Sequence, residues 1–261
     1  MKRLGFIVAL VSILILGNLL LGCTPIRVIT DSGPVVSRDF DLADFTHVQV
    51  SNAFKIELIP SETYSVSITA NENIFPHIDV SKSGNTLTIG VKDLYINIGD
   101  STLEARVTMP ELWRLELSGA SRGKAQGFKS SHDFDLLLSG ASTLDMDMET
   151  GNVDFKISGA SEVTGHLEAS DTRVELSGAS TLDIEGSAGN TVLRASGASE
   201  AALPNFTVND ADIQLSGASD AIIYINGRLD VNLSGGSSLE YGGNPTVGNF
   251  SVTGGSKFKS R

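Results

Sequence analysis

The chain has 261 residues, with 31 acidic and 19 basic side chains and a formal net charge of −12 at pH 7. Nucleic acid and anionic lipid surfaces are negative too, so this charge argues against either as a partner and no nucleic-acid binding is expected. The single cysteine excludes a disulfide within the chain, so packing and backbone hydrogen bonds must hold the fold.

The N-terminus resembles the signal peptide of a bacterial lipoprotein. Two basic residues precede an apolar run over residues 4–21, and residues 20–23 read Leu-Leu-Gly-Cys, which resembles a lipobox. The resemblance implies that residues 1–22 are removed and that Cys23 is acylated, which anchors the mature chain to the membrane. An uncleaved anchor is the alternative, since a run of eighteen almost wholly apolar residues is nearly long enough to span a bilayer.

This N-terminus also predicts where the protein is located. A signal peptide predicts export, and acylation predicts lipid attachment in the bacterial cell envelope. Thr24 follows the cysteine, at the position where an aspartate would favour retention in the inner membrane. The resemblance therefore implies the outer membrane, if the cell has two membranes.

Two segments precede the regular part of the chain. Residues 23–45 show little periodicity and contain Gly33-Pro34, so they are interpreted as a tether between membrane and folded domain. From residue 46 short runs of alternating apolar and polar residues predict β-strands. Residues 46–112 are predicted to form either irregular early coils of the following repeat or a small β-cap over its end, and the sequence favours neither.

Residues 113–261 contain eight copies of a repeat marked by Ser-Gly-Ala-Ser or a close variant. Successive copies begin 18 to 21 residues apart, at Ser118, Ser139, Ser158, Ser177, Ser196, Ser216, Ser234 and Thr253. A unit this short cannot bury a hydrophobic face alone, so the repeats must stack. The alternating strand before each copy predicts an all-β fold, a right-handed parallel β-helix with coils of 19–20 residues.

The glycine of each copy is predicted to form a corner of the coil that a side chain would obstruct. These corner glycines are Gly119, Gly140, Gly159, Gly178, Gly197, Gly217, Gly235 and Gly254. The serine that ends each copy is expected to bond to the backbone of the turn or to its counterpart in the next coil.

The Ser-Gly-Ala-Ser repeats, the alternating strands before them and the lipobox-like start together resemble the bacterial GIN-domain family. That family is described as an auto-transporter adhesin head, and the resemblance covers about residues 45–256. It implies a β-helix, a surface location and a role in adhesion. It implies no catalytic residues.

One group of side chains forms a candidate ligand site. If the coils stack in register, Asp147, His166 and Glu185 fall in one column, with Asp145 and Asp183 in the column two residues earlier. Such a set suits a calcium ion, or a carboxylate pair that acts on a glycosidic bond. Both functions need side chains that converge, whereas ladder residues point outward in parallel, so a solvated acidic face is the simpler interpretation. Apart from this possible calcium, no cofactor is expected.

The sequence therefore indicates a non-enzymatic cell-envelope module for adhesion or surface display, with a glycan or a surface protein as its partner. Residues 119–123 match the G-x-S-x-G pattern of hydrolases, but they lie in a repeat rather than at a strand-to-helix turn. One alternative is a polysaccharide lyase or hydrolase that uses the acidic column. The uniform coil lengths argue against this, because they leave no long loops to form a cleft. An envelope protein without a ligand is the other alternative.

Overall fold

The computed structural model describes residues 27–29, 33–92, 95–97 and 102–261. The predicted signal peptide and Cys23 lie outside these residues, so the structure does not bear on cleavage or acylation. None of the helical segments in the described ranges could cross a lipid bilayer.

The described residues are nearly all-β, and within them the one helical element is a 3-10 helix at Glu72–His77. In chain order the strands are β1 (Arg27–Ile29), β2 (Val35–Phe40), β3 (His47–Val50), β4 (Lys55–Pro60), β5 (Ser65–Asn71), β6 (Ile78–Ser83), β7 (Thr86–Val91), β8 (Tyr95–Asn97), β9 (Leu103–Met109), β10 (Arg114–Leu117), β11 (Arg122–Lys129), β12 (Phe134–Leu138), β13 (Thr143–Thr150), β14 (Val153–Ile157), β15 (Glu162–Ala169), β16 (Thr172–Leu176), β17 (Thr181–Ala195), β18 (Glu200–Leu215), β19 (Asp220–Ile225), β20 (Arg228–Leu233), β21 (Ser238–Gly243), β22 (Thr246–Val252) and β23 (Lys257–Ser260).

Each coil of the repeat contributes one strand before its Ser-Gly-Ala-Ser corner and one after it. The strands before the corner pair in parallel from coil to coil and form row A: β10, β12, β14, β16, the end of β17, the end of β18, β20 and β22. The strands after the corner form row B: β11, β13, β15, the start of β17, the start of β18, β19, β21 and β23. The predicted fold is confirmed as a parallel β-solenoid of about eight turns with a spacing of about 19 residues.

Alternate residues of both rows point into one continuous hydrophobic core. Phe134 and Phe155 are fully buried in neighbouring coils, and their rings meet edge to face with centroids 6.2 Å apart. Burying one such side chain contributes about 1.5–3 kcal/mol. In the last turn that the structure describes the core is less covered, and Phe250 is 53% exposed. Each coil is therefore stabilised mainly by the coils directly above and below it.

The corner glycines adopt a left-handed backbone conformation that residues with a side chain rarely adopt. All eight have positive φ, between +64° and +79°. A Cβ on Gly159 would lie 2.3 Å from the carbonyl oxygen of Gly140 in the preceding coil, so a side chain cannot fit without moving the backbone. The last serine of the copies closes the turn: Ser121 Oγ donates to Ser118 O at 2.7 Å, and Ser219 Oγ donates to Ser216 O at the same distance.

A second corner closes each coil at the opposite end of the row B strand. It consists of the residue pairs Gly151-Asn152, Ser170-Asp171, Gly189-Asn190, Asn209-Asp210 and Asn226-Gly227. Asp171 Oδ1 accepts the backbone N–H of Asn190 in the next coil at 2.7 Å, and Asp133 Oδ1 accepts that of Asn152 at 2.9 Å. The sequence interpretation missed this corner, although its small polar residues recur with nearly the same period as the Ser-Gly-Ala-Ser copies.

Residues 47–60 form an extra turn of the solenoid that precedes the recognised repeats. Strand β3 pairs in parallel with β10, and β4 pairs in parallel with β11. The corner between them is Ser51-Asn52-Ala53-Phe54, in which Asn52 and Ala53 have φ of +63° and +62°. Asn52 takes the position of the corner glycine, and the backbone N–H of Ala53 donates to Gly119 O at 2.9 Å. Asparagine tolerates this conformation better than most residues, which explains why the copy lacks the glycine.

The remaining N-terminal strands cover the end of the solenoid. Strand β7 pairs with β3 and β9 pairs with β4, both in parallel. Antiparallel pairs then close the edge: β6 with β7, β5 with β9, and β2 with β5. Residues 46–112 therefore contain one coil of the solenoid and most of the strands that cover its end. The layers do not stack in chain order, because residues 47–60 lie between residues 86–109 and residues 114–129.

The structure corrects the end of the predicted tether. Residues 35–40 are not a tether but the cap strand β2, which pairs with β5 over its whole length. Phe45 is fully buried, and its ring packs edge to face against Tyr64 with centroids 4.9 Å apart. The interpretation failed here because a single short strand has no repeat to reveal it.

Candidate functional site

The coil register places the five predicted site residues on one outward face of row B. Asp147, His166 and Glu185 are successive partners in the parallel pairing, and Asp145 and Asp183 are both paired with Thr164 between them. Gly165 has a φ of +128°, yet the pairing continues through it without a shift. We call this set the acidic column.

The acidic column lines a shallow groove of about 420 Å³. His166 is the centre of the groove: its Nε2 lies 3.5 Å from Glu168 Oε1 and its Nδ1 lies 3.9 Å from Glu185 Oε1. At one end of the groove Pro204 and Asn205 bulge out of β18, where the pairing with β17 and β19 is interrupted. A proline, which has no N–H to donate, fits such an interruption.

The side chains of the acidic column share a face without converging on a point. In the described ranges no group of three or more His, Cys, Asp or Glu side chains is arranged to hold a metal ion. All four carboxylates of the column are exposed to solvent, whereas an acid catalyst of glycoside cleavage needs an apolar surrounding to stay protonated. The geometry therefore gives no support to the polysaccharide-cleaving alternative, and calcium binding stays a prediction.

A second groove, of about 470 Å³, runs along the outward face of row A. The sequence interpretation did not identify it as a site. Outward side chains of five successive coils form its floor: Lys156, Glu175, Arg194, Gln214 and Asn232. The first serines of the corners form its side: Ser158, Ser177, Ser196, Ser216 and Ser234. We call this the polar groove.

The charges of the polar groove do not pair along the coil axis. Lys156 and Glu175 are direct pairing partners of opposite charge, but Lys156 Nζ contacts Asp154 of its own strand at 3.6 Å. Glu175 likewise lies 4.0 Å from Arg173 of its own strand. Among the described residues no carboxylate lies within ion-pair distance of Arg194. The guanidinium of Arg194 is therefore available to a ligand in the middle of the groove.

The sequence matches a family model described as "Putative auto-transporter adhesin, head GIN domain" over residues 44–245. None of the curated proteins with which the sequence was compared gives a significant match.

Several solved structures share the fold. A putative lipid binding protein from Parabacteroides distasonis superposes with a TM-score of 0.83 at 15% identity, covering 90% of this chain and 100% of that one. A putative adhesin from Parabacteroides merdae gives 0.82 at 16% identity, covering 90% and 99%. A putative adhesin from Bacteroides fragilis gives 0.69 at 19% identity, covering 89% and 100%. At these identities the likeness establishes the fold alone.

Proposed function

The chain belongs to the GIN-domain family of auto-transporter adhesin heads, and from this premise we propose that it is a non-enzymatic adhesion module of the bacterial cell envelope. Its task is to hold a rigid binding surface away from the cell and to bind a surface glycan or a surface protein. Of the two, an extended glycan suits the polar groove better.

The observation that carries this proposal is the polar groove. Its floor repeats hydrogen-bonding groups at the strand spacing, about 4.8 Å, and the five floor residues offer ammonium, carboxylate, guanidinium and amide groups. These groups donate and accept hydrogen bonds with hydroxyls, which a glycan presents at regular intervals. The backbone beneath them is fixed by parallel pairing on both sides, so little conformational entropy is lost when a ligand binds.

The proposal includes attachment through Cys23. Two or more acyl chains on one residue would hold the module firmly at the membrane, where a single chain gives marginal binding. We expect cells that express the full-length chain to incorporate a labelled fatty acid into it, and the Cys23→Ala variant to lose both the label and the membrane fraction. Labelling that persists in Cys23→Ala would reject this site of attachment.

Binding is tested with the full-length chain, purified in a mild detergent and applied to a broad glycan array with detergent alone as the blank. We expect selective binding that the Arg194→Ala variant reduces about tenfold or more, since a hydrogen bond to a charged group contributes about 1.5–3 kcal/mol. Arg122→Ala is the matched control, because it removes the same side chain from row B. Binding that Arg122→Ala weakens as much as Arg194→Ala would reject the polar groove as the site.

The calcium prediction is tested on the same array. If a calcium ion in the acidic column supports binding, chelation should abolish the signal, and the double variant Asp147→Asn/Glu185→Gln should bind equally weakly with and without calcium. Binding that is insensitive to chelation would leave the acidic column without a metal role in adhesion.

A further inference from the structure

The outward face of row B divides into two zones of opposite charge along the solenoid axis. In the three N-terminal layers, β9, β4 and β11, most charged side chains are basic: Lys55, Arg106, Arg122, Lys124 and Lys129, against Glu57 and Glu104. In the next five layers, β13 to β19, the outward residues of these described strands include no Lys or Arg. Their charged residues, apart from His166, are Asp145, Asp147, Glu149, Glu162, Glu168, Asp183, Glu185, Glu200 and Asp220.

The basic zone is only partly neutralised within the chain. Lys55 and Arg106 form exposed ion pairs with Glu104 and Glu57, at 3.7 and 3.2 Å. Lys129 forms a third, with Glu149 of the neighbouring strand β13, at 3.1 Å. In the part of the chain that the structure describes, no carboxylate lies within ion-pair distance of Arg122 or Lys124. Arg122 is moreover the direct pairing partner of Lys55, and like charges placed opposite each other destabilise a sheet.

Most carboxylates of the acidic zone also lack a Lys or Arg partner; in the described chain only Glu149 has one, Lys129 of the basic zone. Asp145 accepts a hydrogen bond from Gln126 Nε2 at 3.2 Å rather than from the neighbouring Lys124. His166 is the sole basic side chain among the outward residues of the five described layers, and it lies beside Glu168 and Glu185. Both zones therefore keep uncompensated charge that a complementary surface could neutralise.

We propose that the complementary surface is the same face of a second copy of this chain. The two copies pack face to face with their solenoid axes antiparallel. A two-fold axis perpendicular to the solenoid, at the boundary between β11 and β13, places the basic zone of each copy over the acidic zone of the other. Because the contact is isologous, each copy's basic zone faces the partner's acidic zone, and the complementary contact occurs twice. A parallel arrangement would instead place basic zone on basic zone and acidic zone on acidic zone, and the repulsion between like charges disfavours it.

The face is large enough for a specific contact. A two-fold axis between β11 and β13 overlaps the three layers on each side of it, which makes six layers in all. Row B strands of eight residues are about 26 Å long, and six layers at about 4.8 Å span roughly 29 Å. The product, about 750 Å² per copy, is close to the roughly 800 Å² per partner of a standard protein–protein interface. The net charge of −12 repels two copies at long range, but at physiological salt this repulsion is largely screened beyond about 8 Å. The opposed zones then determine the contact.

The pairing deepens the proposed function and, in its biological meaning, rests on it. In this antiparallel arrangement the N-termini of the two copies lie at opposite ends of the dimer. If the N-terminus carries the membrane anchor, the partners belong to two facing membranes, and the module would join one cell to another. The pairing itself does not depend on the anchor and can be tested without it.

The test is sedimentation of the full-length chain in a detergent of matched density. We expect reversible dimers of the unchanged chain that weaken as the salt concentration rises. Reversal of the basic zone (Arg122→Glu/Lys124→Glu) or of the acidic zone (Asp145→Lys/Asp147→Lys) should each raise the dimer dissociation constant about tenfold or more, since like charges then face each other. Lys156→Glu/Arg194→Glu on row A is the control and should leave the dimer unchanged.

A mixture of the two reversed variants gives the decisive result. At positions 122, 124, 145 and 147 one copy then carries only acidic residues and the other only basic residues, so the contacts between these positions in the mixed dimer are complementary and association should return. Thermal unfolding of each variant shows that it is folded. A monomeric unchanged chain, or a mixture that stays monomeric, would overturn the proposal. So would a chain that binds a polyanion such as heparin through Arg122 and Lys124 without pairing. Loss of dimers with unchanged glycan binding would remove this inference alone and leave the proposed function.

Discussion

Residues 35–109 and residues 114–260 share one hydrophobic core, yet their strands pair by different rules. In the repeat array every strand pairs in parallel with its counterpart in the neighbouring coils, so sequence order and spatial order agree. In the N-terminal region antiparallel pairs are mixed in, and the coil formed by residues 47–60 lies beneath strands that follow it in the chain. The comparison teaches that a stack needs a differently built end, because open strand edges invite unwanted pairing.

The largest effects should separate the two regions by their cooperativity. Phe155→Ala and Phe45→Ala each remove a fully buried ring, at an expected cost of about 3–5 kcal/mol. Since a repeat contacts only its neighbours, Phe155→Ala should lower protection from hydrogen exchange in the middle of the array. Phe45→Ala should lower it in the cap and leave the last coils unchanged. Equal loss over the whole chain in both variants would show that cap and array unfold as one unit.

A smaller effect should separate a stacked corner from a free turn. Gly159 and Gly84 both have positive φ, but a Cβ meets Gly140 O at 2.3 Å in the first case and nothing within 4 Å in the second. Gly84→Ala should cost about 1–2 kcal/mol for the left-handed conformation alone. Gly159→Ala should cost about 3 kcal/mol in total, because the clash adds strain. Urea unfolding of the two variants measures the difference, and equal costs would contradict the tight stacking of the corners.

Replacing alanine by glycine should stabilise the corners nearest the cap and destabilise the later corners. Ala53 and Ala120 have φ of +62° and +67°, whereas Ala160, at the same position of a later corner, does not have positive φ. Ala53→Gly and Ala120→Gly should therefore each stabilise the protein by about 0.5–1 kcal/mol, since glycine adopts this conformation without strain. Ala160→Gly should destabilise it by about 0.5–1 kcal/mol through added freedom in the unfolded chain. Thermal unfolding that ranks the three variants otherwise would reject this account.

Acid should act on the C-terminal coils of the array. Hydrogen bonds from Arg228 and from the backbone N–H of Asn249 hold the pKa of Asp230 below its ordinary value of 3.8. A lowered pKa stabilises the fold above the unfolded value, and that contribution is lost as pH falls through 3.8 and below. The stability difference between the unchanged chain and Asp230→Asn should therefore shrink between pH 5 and pH 2. A constant difference over this range would contradict the assignment.

Alkali should act on the cap instead. Burial, followed by the nearby charges of Asp44 and Glu111, raises the pKa of Tyr64 above its ordinary value of 10.0. A raised pKa stabilises the fold below the unfolded value, and this contribution is lost as pH rises above 10.0. The effect should be small because the hydroxyl stays close to water. Tyr64→Phe should remove this contribution and leave the acid part due to Asp230 intact, as thermal unfolding across the pH range will show.

The repeat array was predictable because its information is local and repeated. Short stretches of sequence predict the period of the Ser-Gly-Ala-Ser copies, the glycine corners and the alternating buried residues. Each copy also supports the prediction made for the others. For the same reason the alignment of Asp147, His166 and Glu185 could be foreseen from their equal distance to the corner. The second corner was equally available in the sequence but went unrecognised, because its residues vary from coil to coil.

The sequence by itself determined the stacked coils, the inward residues and the column register, since a strict repeat makes each residue's neighbours its own counterparts. Only the tertiary structure decided the layer order of the cap, because the pairing of β3 with β10 joins segments more than sixty residues apart that share no period. It also decided that Lys156 pairs along its own strand and not across coils, a choice made by side-chain conformation. The opposite charges of the two zones of row B likewise emerged only when residues 55–60 and 103–109 were placed against the repeat, because distant segments acquire a common surface through folding alone.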